Sequence, residues 1–150
     1  MSDTTPKKVI LLGDPIYEEA QLNALDAYGG GEIMPGMLLE RTAGGEVAPH
    51  SSGGGFASPM FAVEAPFRLG ADINTAYDED GENVSFAFCR NGDRVYALID
   101  AGENISENDL LESAGNGYLA GGSTLPVARA LETVDNSAGS EAVRIRCEVV

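Results

Sequence analysis

His50 stands beside Ser51 and Ser52, and it is the only histidine in the chain. A histidine near a hydroxyl is the raw material of a nucleophile and its general base, the pair that many hydrolases use. Such a pair needs fixed geometry, and its members usually come from distant chain positions. Residues 47–55 end in Gly53-Gly54-Gly55 and read as a flexible loop. A solvated loop is therefore expected here, and a hydrolase using His50 is the alternative. Cys89 and Cys147 could form one disulfide. Both fall on alternating positions of predicted strands, so two buried thiols acting as small apolar groups are expected instead. A zinc site needs three or four closely spaced His/Cys ligands, and this set does not supply them. Asp78-Glu79-Asp80-Gly81-Glu82 resembles part of a calcium loop, but its glycine comes fourth where an EF-hand needs it sixth. An acidic turn is the expectation. The glycine clusters lack both the Gly-Lys-Ser/Thr ending and the G-x-G-x-x-G spacing of nucleotide sites. Glu18 and Glu19 read as solvated surface. No catalytic residue, metal ligand or cofactor is expected.

The elements around these residues are mostly strands. Val84, Phe86 and Phe88 share one face, with Ser85, Ala87 and Cys89 on the other. Asn91-Gly92 is a strong hairpin cue, with a return strand over residues 95–99. Gly102, Gly115-Asn116-Gly117 and Gly121-Gly122 then separate short segments. At the end, Val143, Ile145, Cys147 and Val149 face inward, and Arg144, Arg146 and Glu148 face outward. Frequent turn signals between short strands indicate a small β-barrel or β-sandwich.

The first fifty residues are less regular. Residues 1–8 are polar and read as a mobile arm. Asp14-Pro15 forms a helix-start signal, and Ile16, Ala20, Ala24 and Ala27 fall near helical spacing. One short helix over residues 15–28 is the prediction, and an extended arm over residues 9–40 is its competitor. Pro35-Gly36 is a type II turn signal. The organisation expected is one domain. Residues 1–50 form an arm with Gly-rich loops, and residues 51–150 form the β core.

Composition narrows the function. The chain has 150 residues, 43% of them hydrophobic, which suffices for a buried core. No apolar run approaches the ~18 residues of a membrane span. The chain holds 24 acidic and 9 basic residues, for a net charge of −15. Nucleic-acid binding needs a basic stripe, and the sequence has none. An acidic surface with few lysines suits a soluble protein, and it is also what a high-salt, halophilic setting selects.

The segment Pro35-Gly36-Met37-Leu38-Leu39-Glu40 is followed by Gly92-Asp93-Arg94-Val95-Tyr96-Ala97-Leu98. After these come residues 109–117, beginning Asp109-Leu110-Leu111-Glu112-Ser113, then Ala128-Arg129-Ala130-Leu131-Glu132 and a strand over residues 143–150. This succession resembles the head decoration (capsid cement) proteins of tailed bacteriophages and tailed archaeal viruses. Asn108 stands where that pattern has a glycine, and residues 14–31 are longer than the pattern's approach to its Pro-Gly turn. The resemblance implies a β-rich protein on the outer capsid surface of the virion. It implies the major capsid protein as partner, commonly a homotrimer, and no catalytic residues. Such a protein works through many modest contacts, where avidity replaces single-site affinity. The apolar strip Met34, Pro35, Met37, Leu38 and Leu39, with Phe56, Met60 and Phe61, is the candidate contact surface; ordinary core is the competing reading. A non-catalytic barrel-sandwich binding module is the alternative to decoration. Carrier function of that fold needs a lysine at a hairpin tip, and Lys7 and Lys8 are the only lysines.

Overall fold

The computed structural model describes residues 10–13, 16–22, 32–65, 69–78 and 82–150. The protein is mainly β, as the alternation indicates. Five strands close into a barrel: β7 (Arg94–Ile99), β10 (Leu119–Gly121), β9 (Leu110–Ser113), β11 (Ala128–Ala130) and β13 (Val143–Val149). β13 lies between β11 and β7 and closes the ring, with Ile145 opposite Ala97 and Cys147 opposite Val95. The inward positions of β13 are those predicted. Ile145, Cys147 and Val149 are buried with Val95, Ala97, Ile99, Leu111, Leu119, Ala128 and Ala130. Alanines at three of these positions let a ring this small fill its interior.

Further short strands complete the fold. β1 (Leu11–Leu12) lies antiparallel to the start of β7, beside the stretch that β10 leaves uncovered. β8 (Asn104–Ile105) pairs with β12 (Val134–Asp135). β3 (Leu39–Arg41) pairs with β4 (Val47–Pro49).

β2 (Ile16–Gln21), β6 (Asn83–Phe88) and β5 (Met60–Ala62) form a separate sheet in the order β2-β6-β5. It lies between two cores. Ala87, Cys89 and Phe61 face the barrel-side cluster. Val84, Phe86, Met60 and Ala62 face a second cluster with Leu39, Val47, Ile33 and Tyr77. The predicted alternation in β6 is present, with an apolar layer on each side.

Two local predictions are corrected. The helix over residues 15–28 is absent where the chain is described: residues 16–21 are strand β2, paired along their length with β6. Alanines at helical spacing bury little area, whereas Ile16-Tyr17 is β-prone and β6 offers a full ladder. Asp14, Pro15 and residues 23–31 lie outside the described residues, as do residues 1–8.

The Asn91-Gly92 hairpin is corrected as well. The turn exists, and the Asp93 amide donates to the Arg90 carbonyl at 3.0 Å. Yet β6 and β7 do not pair, and they enter different sheets. The twist-matched hairpin turn needs φ above zero at both central residues. Gly92 has φ +94°, but among the described residues Asn108 is the one non-glycine with positive φ. The turn therefore splays its strands. It is fixed to β13 instead, by Gly92 N–H to Val149 O and Val149 N–H to Asp93 O.

Asn108, in the glycine position of the family pattern, has φ +75°. The backbone there is left-handed, and asparagine is the non-glycine that visits it most readily.

Candidate interaction surface

The Pro35-Gly36 turn joins the barrel to the second core. Gly36 has φ +97°, and its amide donates to the Ala62 carbonyl at 2.8 Å. A Cβ there would lie 2.7 Å from both Arg144 Nη1 and the Tyr96 carbonyl oxygen. That contact exists because Arg144, on the outward face of β13, reaches across the turn. Its guanidinium donates to the carbonyls of Pro35 (2.9 Å), Tyr96 (3.3 Å) and Ile73. It also lies 5.5 Å from the centroid of the Tyr96 ring. Burial pushes the Arg144 pKa below its usual value, while Tyr96, Glu64 and Asp72 act the other way. Arg144 thus acts as an internal clamp.

His50 is a second node. Its Nε2 lies 2.9 Å from the Phe56 carbonyl oxygen, so that nitrogen carries the proton. Nδ1 then accepts the Ser113 hydroxyl at 2.6 Å, and Ser113 Oγ accepts the Gly115 amide at 3.1 Å. The His50 backbone bonds Leu38 and Gly117. The expected solvated loop is corrected: His50 is buried, and its partner is Ser113, not Ser51 or Ser52. A fully bonded ring offsets its desolvation, which a mobile loop could not do. Both ring nitrogens are engaged, and the pair ties the 50–56 loop to β9.

The contact residues predicted from sequence divide sharply. Met37, Leu38, Leu39, Met60 and Phe61 are core, and Pro35 is buried in its turn. Their burial favours ordinary core, the competing reading, over exposed contacts. Met34 is half-buried and lines an open groove of about 680 Å³ beside the barrel, with Tyr96, Tyr118, Asp100, Glu141 and Arg144. Burial, then Asp100 and Glu32, raises the Tyr118 pKa. Phe56 is 76% exposed. It borders a cavity of about 240 Å³ lined also by Leu39, His50, Met60 and Phe88. Sequence reasoning missed Ile16 and Tyr17, which are 52% and 63% exposed on β2. Ile16 lies opposite Phe88, which lies opposite Met60, so an apolar row runs across this sheet toward the cavity. The signal was the Ile-Tyr pair at the head of β2, hidden by the helical reading.

Cys89 and Cys147 are buried free thiols, as expected. Burial pushes each up to about 12 from 9.0. The folded protein therefore holds these protons where the unfolded chain has lost them. That stability is complete below pH 9 and is lost as pH rises from 9 toward 12. Each thiol adds about 1.4 kcal/mol per pH unit to the fall. Denaturant titrations between pH 8 and 11 should show this decline, and a Cys89→Ala variant should show a shallower one. Equal slopes would count against the assignment. No cluster of three or more His, Cys, Asp or Glu side chains suited to a metal ion occurs among the described residues.

The fold is that of a small closed β-barrel carrying a packed side sheet. No protein-family model matches the chain, and no curated protein does. Among solved structures it is similar to the N base of the head fiber gp8.5 of bacteriophage phi29. The TM-score is 0.56 at 12% identity, over 91% of this chain and 95% of that one. At that identity the likeness is one of fold.

Proposed function

We propose that this chain is a structural protein of a tailed-virus head. It binds the outer capsid surface, bridges neighbouring major capsid subunits, and does so as a homotrimer. The observation that carries this reading is the likeness to a phage head-fiber base over nearly the whole of both chains. The succession of segments that resembles decoration proteins supports it independently. The exposed apolar side chains Phe56, Ile16 and Tyr17 are the surface such contacts need, in place of the core residues first considered. Each contact is small, and repetition over the capsid supplies the avidity. The reading involves no catalysis and no cofactor.

The test mixes purified protein with undecorated capsids and follows co-sedimentation. Saturable binding is expected, and Phe56→Asp should weaken it at least tenfold. Wild-type protein left in the supernatant at every salt concentration would end the decoration reading. Light scattering checks the trimer separately, since a monomer both free and on the capsid contradicts it.

A further inference from the structure

β2 is an edge strand, and its open side has a defined chemistry. The Leu22 amide donates to the Glu82 carbonyl at 2.8 Å, continuing the register in which Gln21 faces Asn83. Antiparallel ladders alternate, so Ile16, Glu18 and Ala20 turn their backbone groups toward β6. Tyr17, Glu19 and Gln21 turn theirs away. β6 agrees: Ser85 O and Cys89 N–H serve the opposite side, bonding Val63 and Pro59. Leu22 bridges Val47 and covers the far end of the edge. Among the described residues, the N–H and C=O of Tyr17 and Glu19 have no partner strand. Natural edges are usually guarded by charged side chains, lysine above all, by proline or by a bulge. β2 holds no lysine, proline or bulge along its six paired residues, and its only charges are the carboxylates Glu18 and Glu19, which repel an acidic strand and attract a basic one.

We propose that this edge receives an extended, basic strand of the capsid protein by β-augmentation, an inference that rests on the decoration reading above. Main-chain bonds to Tyr17 and Glu19 supply the pairing, and side chains select the occupant. Glu18 and Glu19 are both exposed, in a chain with 24 acidic and 9 basic residues. The Arg41–Glu18 pair, at 2.7 Å on the surface, offsets one carboxylate weakly. A second copy fits poorly. The antiparallel register that uses all four edge groups sets Glu18 directly against its own counterpart, and like charges so placed repel. A strand with apolar residues beside Ile16 and Tyr17, and lysine or arginine beside Glu18 and Glu19, satisfies both features.

Proline tests the idea, because it deletes an outward N–H without touching the ladder to β6. Glu19→Pro should fold with an unchanged melting transition and bind undecorated capsids at least tenfold more weakly. Glu19→Gln keeps the N–H and should lose about two- to fivefold through charge alone. Amide exchange on wild-type protein gives a reading that needs no variant. The Tyr17 and Glu19 amides should exchange freely in solution and become protected on capsids. Unchanged binding by Glu19→Pro, or no new protection, overturns the edge assignment while the decoration reading stands. Wild-type protein that fails to bind removes both. A wild-type oligomer that falls apart in Glu19→Pro would make the occupant a second copy, against the proposal.

Discussion

Arg144→Met should lower unfolding stability by about 3–5 kcal/mol, a large share of the 5–15 kcal/mol typical of a domain. Methionine matches the apolar stem of arginine but donates nothing. The carbonyls of Pro35, Ile73 and Tyr96 would lose their shared donor. Leaving a buried acceptor unmet costs about 1–3 kcal/mol each. Water entering the adjoining groove recovers part of this, so the loss stays below the sum. Chemical denaturation is the measurement. Arg144→Lys should recover only part of the loss, because one ammonium cannot reproduce the planar fork that reaches three carbonyls. A change under about 0.5 kcal/mol, typical of an ordinary surface substitution, would show that the clamp is idle.

His50→Ala should cost about 2–4 kcal/mol, from a lost buried ring and an orphaned hydroxyl and carbonyl. The informative quantity is the coupling to Ser113. The double variant His50→Ala/Ser113→Ala should be less damaging than the sum of the singles, by about 1–2 kcal/mol. Strict additivity would mean that the 2.6 Å contact contributes nothing. The consequence reaches function as well, because His50 holds the Phe56 carbonyl and so positions the exposed Phe56 ring. His50→Ala should therefore weaken capsid binding even where the protein remains folded.

Some of this was legible in the residues. The strict alternation of β13 fixed its buried face, since period two leaves one reading when one side is apolar. Asn108 stood out only as a departure from the resembled pattern, and its left-handed backbone, φ +75°, was not foreseen. The Pro35-Gly36 turn formed as its chemistry requires, with the Met37 amide donating to the Met34 carbonyl at 3.0 Å. The failures have physical causes. β2 was misread because helical spacing of alanines carries little energy, and its partner strand lies over sixty positions away. The Asn91-Gly92 turn was read as a hairpin because the dipeptide reports a bend, and the bend alone does not say which strands pair. The His50–Ser113 bond spans 63 positions, and nothing in the local sequence announces it. Phe56 was grouped with Met60 and Phe61, yet residue type alone could not show that its ring points outward.

The place of β13 in the ring has a consequence for synthesis. It is the last of the barrel strands in chain order, and it closes the gap between β11 and β7. Until β13 has emerged, the outer edges of both neighbours stay open and the interior stays wet. Barrel formation therefore waits until β13 has been made. A product that lacks β13 cannot close the barrel, and its apolar interior stays exposed to water.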